Sequence, residues 1–324
     1  MTLQISRRQL LQAAGIGAVG IAASPVFGLQ PLMIARAADE KPTFSAFNRF
    51  MFGKLEVTVI QDGLTQFPPE NFAVNAPAGA AAKVLKDSNL PDQAINTSIN
   101  VMAIKSGDQY ILLDSGARDF RVAPDAPPFG GRLFPTLDLL GIKANAVSAI
   151  ILTHYHPDHI AGISEGKNAL FPKATIYMPE AEQKYLDTAP AGSPVAGFIQ
   201  LAKDKLAAVK DQVKLYKPDT EIVPGIMGMA AYGHTAGQTT LMVASDGKQM
   251  MYLADVAPHP VISLSHPEWF FGFDEDGKMA SDTRRKVLAM AADKGYQVFS
   301  AHFPFPGLGY IDKSGEAFTF VASA

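Results

Sequence analysis

Three imidazoles and a carboxylate fall within six residues of this chain, at His154, His156, Asp158 and His159. Positions two apart in an irregular segment can point the same way, so His154 and His156 can grip one cation while the turn after Pro157 sends Asp158 and His159 toward a second. Three further candidates, His234, Asp255 and His302, lie far downstream. Cysteine is absent, which excludes disulfides, thiolate ligands and a cysteine nucleophile. A transition metal would therefore be held by imidazole nitrogen and carboxylate oxygen, a donor set that suits Zn²⁺, Mn²⁺, Fe²⁺ or Co²⁺ without choosing among them. A pair of such ions acidifies a shared water and polarises the bond that it attacks, so no serine or cysteine nucleophile is needed.

Scattered ligands need a scaffold that brings strand ends together. Leu55 to Ile60 and Val101 to Leu113 read as strands, the second region folding back at Ser106-Gly107-Asp108. Ala146 to Thr153 is a nearly unbroken apolar run, which fits a strand covered on both faces. Met229 to Tyr232, Thr239 to Ala244, Met250 to Ala254 and Tyr296 to Ser300 are further strands, with a hairpin turn at Ser245-Asp246-Gly247-Lys248. Ser281 to Lys294 reads as a helix with Gly295 just beyond its end. Each ligand group follows an apolar strand, so separate segments can converge on one rim of a sheet in a layered α/β domain.

Composition narrows the partners. At 324 residues and 48% hydrophobic content the chain can bury a large core. The first 37 residues hold Arg7, Arg8, Arg36 and no acid, leaving 25 basic against 31 acidic residues in the remainder; that balance argues against a nucleic-acid partner, which needs clustered positive charge. Arg7-Arg8 precedes a modest apolar stretch, Leu10 to Ala23, too short to span a bilayer, and Ala35-Arg36-Ala37 offers a small-x-small cleavage site. Residues 1–37 are thus expected to be a twin-arginine signal peptide read by that export machinery, and 38–324 the functional domain, periplasmic or secreted and without a stable membrane anchor.

The spacing His154-x-His156-x-Asp158-His159 resembles the signature of the metallo-β-lactamase superfamily, and the other elements of that pattern follow in order. They are Leu113-Asp114-Ser115-Gly116, Gly233-His234-Thr235, Asp255 after an apolar strand, and His302. Val223-Pro224-Gly225-Ile226, Gly233 to Gly237 and Phe305-Pro306-Gly307-Leu308-Gly309 are similar to the branch of methyl parathion hydrolase and its lactonase-like relatives. The resemblance implies an α/β chain of the metallo-β-lactamase fold: a four-layer αββα sandwich of two mixed sheets with outer helices. It implies two divalent transition-metal ions, zinc being the first expectation, one on His154, His156 and His234, the other on Asp158, His159 and His302, with Asp255 bridging. Asp158 and Asp255 are the expected catalytic carboxylates, with Asp158 or a metal-bound water managing the proton of the leaving group. Asp114 is implied to orient ligands rather than bind metal, its alternative being an ordinary Asp-Ser-Gly turn. Gln238 stands where superfamily members often carry a supporting histidine.

The function so implied is hydrolysis of an ester-type bond in a lactone, carboxylic ester or organophosphate triester. A β-lactamase is disfavoured because the metal-bearing segments hold no Lys or Arg to anchor a substrate carboxylate. A single-iron dioxygenase is disfavoured by the complete second set of ligands. A non-enzymatic metal-binding protein is the alternative of another class, disfavoured because no ligand is missing. The same lack of cations predicts a neutral small-molecule substrate, with Arg118 and Arg121 the nearest basic residues. Phe120, Tyr185, Phe198, His266 and Trp269 are expected at the pocket, Asp274-Glu275-Asp276-Gly277 as a surface turn, and a homodimer is compatible with the resemblance.

Overall fold

The computed structural model describes residues 46–123, 125–190, 192–193 and 195–323, all within one unit, Pro42–Ala324. The expected leader lies outside the described residues. Sixteen strands run β1 Phe47–Phe52, β2 Leu55–Phe67, β3 Ile95–Ser106, β4 Gln109–Leu113, β5 Val147–Ile151, β6 Ser164–Glu165, β7 Asn168–Ala169, β8 Thr175–Pro179, β9 Val213–Tyr216, β10 Thr220–Val223, β11 Ile226–Ala230, β12 Thr239–Ser245, β13 Lys248–Tyr252, β14 Gln297–Phe299, β15 Leu308–Ser314 and β16 Ala317–Ala322. The helices are α1 Ala80–Asp87, α2 Leu133–Leu139, α3 Pro157–Ile160, α4 Glu180–Thr188, α5 Ala196–Ala208, α6 Ile262–Ser265 and α7 Gly277–Lys294.

Two seven-stranded sheets result, ordered β1-β2-β3-β4-β5-β8-β9 and β10 through β16 in sequence, while β6 and β7 pair apart. Both are mixed. In the first, β1 to β4 are antiparallel and β4, β5, β8 and β9 parallel; in the second, only β13 and β14 run parallel. The β12–β13 hairpin closes on Ser245 opposite Lys248, with Asp246 and Gly247 both at positive φ as a two-residue turn requires.

Apolar side chains define four layers. Val57, Val59 and Leu113 from the first sheet meet Leu241, Val243 and Phe299 from the second in a core between the sheets. On the outer face of the first sheet Ile150, Ile176 and Met178 pack with Leu137, Leu186, Ile199, Ala202 and Leu206. Ile199, Ala202 and Leu206 recur at helical spacing, so α5 turns one stripe inward. On the outer face of the second sheet Met251 and Val298 pack with Val287, Leu288 and Ala291 of α7. Each such side chain removed from water stabilises the fold by about 1.5–3 kcal/mol. The order is therefore αββα, as the sequence implied. Among the described residues no helix is long and apolar enough to cross a membrane.

The helix expected over Ser281 to Lys294 begins four residues earlier, because the Asp276 side chain caps it by accepting from Met279 N at 2.9 Å, a contact worth about 1 kcal/mol. Gly295 ends it in the left-handed conformation. The expected surface turn at 274–277 is thus half helix entry, and the Asp274 side chain is fully buried.

Candidate metal centre

His154 lies three residues beyond β5, His234 four beyond β11, Asp255 three beyond β13 and His302 three beyond β14. Parallel and antiparallel pairing brings these ends to one rim, and cross-sheet bonds fix them there. Thr239 N donates to Thr153 O at 3.0 Å, immediately before His154; Asn100 N donates to Ala301 O at 2.9 Å, immediately before His302. The Tyr216 hydroxyl, rising between the sheets, donates to Leu152 O. Gly233, at φ +125°, lets the loop bearing His234 press against the start of α7, where a Cβ would come within 2.2 Å of Ala280 N.

Ligand-type atoms gather in two groups, each within 4.8 Å: His154, His156, His234 and Asp255, then Asp158, His159 and His302. All seven are buried except Asp158, whose side chain is 20% exposed. Asp255 stands between the groups. Its Oδ2 lies 3.2 Å from His234 Nε2 and 3.1 Å from His302 Nε2, and its Oδ1 lies 3.1 Å from His159 Nε2.

The outward ring nitrogens decide the tautomers. His159 Nδ1 faces Asp114 Oδ2 at 2.7 Å, His234 Nδ1 faces Asp274 Oδ1 at 2.9 Å and His302 Nδ1 faces Ser98 O at 2.8 Å. A carboxylate or carbonyl only accepts, so each of these nitrogens donates and leaves Nε2 directed into the cluster. The Thr153 hydroxyl donates to Asp114 Oδ2 at 2.9 Å and can then accept from His154 Nδ1 at 3.0 Å. Asp114 takes two more bonds, from Thr153 N at 2.8 Å and the Tyr252 hydroxyl at 2.6 Å. It holds this place at φ +59°, a conformation that Asp tolerates better than most residues.

The donor set fits divalent cations. His154 Nε2, His156 Nε2, His159 Nε2 and Asp255 Oδ1 are buried without a hydrogen-bond partner, a concentration of orphaned groups that costs stability unless something binds there. Burial, followed by the neighbouring imidazoles with His159 first, holds His154 well below the ordinary histidine range, so it is neutral and able to coordinate. Burial opposes ionisation of Asp255, but His302, His159 and the other imidazoles outweigh it and keep the carboxyl well below its ordinary range. Burial would likewise depress His234, yet Asp255 and Asp274 push it up to about 9. The carboxylates make the cluster attract positive charge.

A narrow cleft opens onto these groups, lined at its base by His156, Pro157, Asp158, Asp255 and His302. Six phenylalanines line it, and five of them form a closed ring of contacts: Phe67 to Phe129 at 6.0 Å, Phe129 to Phe120 at 5.3 Å, Phe120 to Phe198 at 5.7 Å, Phe198 to Phe273 at 6.2 Å and Phe273 to Phe67 at 5.5 Å. Phe198 also touches the His156 ring. Among the described residues that line the cleft there is no Lys or Arg. Arg118 pairs with Glu165 at 2.7 Å and lies over the Phe134 ring, and Arg121 donates to Ala126 O.

Of the residues expected at the pocket, Phe120 and Phe198 line this cleft and Tyr185, His266 and Trp269 do not. Tyr185 packs with the helices outside the first sheet. His266 and Trp269 stack on each other at 3.9 Å, and Trp269 joins a satellite cluster around Phe72 and Leu85 that also holds Phe67, Phe271 and Phe273; those three rings, and not the indole, line the cleft. Gln238 touches no ligand through its amide hydrogen bond: it donates to Ala231 O, tying the loop of His234 to itself. The support that loop receives comes from residues the sequence reading passed over. Asp274 takes His234 Nδ1, accepts from Phe271 N at 2.8 Å and meets the buried Arg284 at 3.4 Å. Glu182 accepts from Thr235 Oγ1 and, at 2.7 Å, from Gly237 N. Glu275, which accepts from Tyr155 and Ala236 N, ties the same loop to the His154 segment. An acidic residue two positions before a helix-capping Asp276 was the available signal for Asp274.

Residues 95–302 match the model of the metallo-beta-lactamase superfamily. The chain belongs to that superfamily. It is a hydrolase of that family with a His/Asp site for divalent metal ions. It is 30% identical to a hydroxyacylglutathione hydrolase of Photobacterium profundum over 44% of each chain, so it spans under half of that relative. It is 22% identical to an N-acyl homoserine lactonase of Bacillus cereus over 64% of this chain and 72% of the relative. In structure it is similar to AidC, a dizinc quorum-quenching lactonase in complex with a product, with a TM-score of 0.80, 28% identity and coverage of 86% of this chain and 98% of that one.

Proposed function

We propose that this superfamily hydrolase opens neutral ester-type bonds, in lactones first and in carboxylic esters or organophosphate triesters as further substrates, at a two-ion centre of the zinc type. One observation carries this reading: the seven-ligand cluster opens onto a cleft walled by phenylalanine and, among the described residues, lined by no cation. An anionic substrate would lose its hydration there without gaining a partner. The likeness to AidC and to the Bacillus cereus lactonase supports the lactone class.

His154, His156, His234 and Asp255 would hold one ion and Asp158, His159, His302 and Asp255 the other. When bound, these ions supply an acidified water and Lewis-acid polarisation of the bond to be cleaved. The residues of the chain do the rest. Asp114 and Asp274 fix the imidazoles so that no reorganisation is needed. The phenylalanine ring excludes water and seats the apolar part of the substrate. Asp158 lines the cleft, its Oδ2 3.4 Å from His302 Nε2, and would take the proton released by the attacking water and pass it to the leaving oxygen. The full second group of ligands disfavours a single-ion oxygenase.

Matched substrate pairs on metal-reconstituted protein test the reading. Neutral lactones, aryl esters and triesters should show higher kcat/KM than analogues with a carboxylate beside the scissile bond. A preference for the anionic member, abolished in Arg118→Ala or Arg121→Ala, would overturn it.

We further propose that the protein is exported by the twin-arginine route, a reading supported by Arg7-Arg8 and the acid-free segment around them. Replacing both arginines with lysine should trap precursor in the cytoplasm; unchanged export on fractionation would rule the route out.

A further inference from the structure

Two of the six phenylalanines around the cleft, Phe120 and Phe129, sit on the stretch between Ala117 and Leu133, whose described residues form no regular element before α2. Its ends are held by one side chain. Asp62 Oδ2 accepts from Ala117 N at 2.8 Å and Arg118 N at 3.3 Å; Asp62 Oδ1 accepts from Gly131 N at 3.0 Å and Leu133 N at 2.7 Å. The carboxylate is fully buried and lies at the bulge that breaks the β2–β3 register between Gln61 and Gly63. A bulge turns a side chain out of the strand's regular alternation, here toward the loop. The fit is tight on every side. A Cβ on Gly63 would meet Phe129 O at 1.7 Å, and one on Gly130 would meet Asp62 Oδ2 at 2.0 Å. Further along the same strand, Phe67 supplies a third ring of the collar.

We infer that Asp62 is a specificity-determining positioning residue: by clamping both ends of the 117–133 stretch it sets Phe120 and Phe129 into the aromatic collar and so fixes the apolar reach of the cleft. It touches no metal ligand through its hydrogen bonds, so its effect is on which substrate is seated and not on the metal centre. The inference rests on the hydrolase reading above only for its kinetic arm.

An amide at this position keeps the shape but turns one oxygen into a donor facing two N–H groups, so Asp62→Asn releases one end of the stretch. The test uses metal-loaded protein and a series of 4-nitrophenyl esters from acetate to decanoate. Parent enzyme should favour the longer chains. In Asp62→Asn the ratio of kcat/KM for decanoate over acetate should fall about tenfold, the loss that one displaced buried ring causes, while metal content per chain stays at the parental value. Phe129→Ala, which removes one ring and leaves the clamp, should lower the same ratio if Asp62→Asn does not fold. Fluorescence titration with N-phenyl-1-naphthylamine, a neutral aromatic probe, reads the collar without turnover, and its affinity should fall in both variants. Unchanged chain-length preference and probe affinity in a folded Asp62→Asn, or an unchanged ratio in Phe129→Ala, would overturn the inference. If the parent hydrolysed no ester or lactone but probe binding fell in both variants, the clamp would stand and the proposed function would fail.

Discussion

The two carboxylates that steady the metal-binding histidines do so in different ways. Asp114 sits one residue beyond β4 and gathers the contiguous ligand segment: Thr153 N, Thr153 Oγ1, His159 Nδ1 and Tyr252 all converge on it. Asp274 comes from the loop before α7 and steadies a ligand from a different strand end, while its other oxygen holds Phe271 N and faces Arg284. The first half of the centre is thus set by local chain geometry with one anchor. The second half, His234, Asp255 and His302, is assembled from separate strand ends, and each outward nitrogen finds its own partner. A compact motif needs one buried acceptor, whereas dispersed ligands need one each.

Removing the carboxylate that stands between the two ligand groups should have the largest effect. Asp255→Ala should leave less than one ion per chain and lower kcat by a factor on the order of 10³; two retained ions on elemental analysis would break the picture of a carboxylate common to both groups. The two ion sites are told apart by Asp114→Asn and Asp274→Asn. Losing such a support costs roughly 10–100-fold in metal affinity. The Asp114 variant should weaken the ion on Asp158, His159 and His302, and the Asp274 variant the ion on His154, His156 and His234. Chelator competition with the cobalt-substituted protein would distinguish them, and loss of the same ion from both variants would contradict the assignment.

A smaller effect is expected at Glu182, the residue of α4 that grips the loop of His234. Burial pushes its carboxyl up to about 7, although Thr235 and Gly237 oppose this. The folded-state value stands above the ordinary 4.5, so the fold disfavours the ionised form. Its contribution is most favourable below about pH 4.5 and is lost as pH rises through about 7. Glu182→Gln keeps an acceptor for both partners and removes the titration. It should match the parent near pH 4.5 and exceed it above pH 7 by on the order of 1 kcal/mol, a rise of a few degrees in Tm. Equal melting curves at pH 8 would show that Glu182 does not titrate in this range.

Much of the centre could be read along the chain because its chemistry is written there. His154, His156, Asp158 and His159 are close in sequence, a turn after an apolar strand presents them together, and the alternation of strands and helices around them allows only a few layered arrangements. Asp114 was legible through the superfamily pattern that carries it upstream of the motif; its place at the end of β4, beside the motif's own strand, came from the sheet. The hairpin at Asp246-Gly247 and the stop at Gly295 were legible because positive φ selects those residues. What the chain alone did not decide is which polar and aromatic groups from distant segments share the rim. Asp274 looks like part of an exposed acidic run until α7 begins at Gly277 and buries it. Phe67, Phe129 and Phe273 resemble any other core rings, while Trp269, an equally good candidate by composition, packs with Phe72 and Leu85 and takes the His266 ring against it. A side chain's type and local spacing fix what it can do, but two segments meet only when sheet register and layer packing bring them within reach, and those depend on the whole buried core.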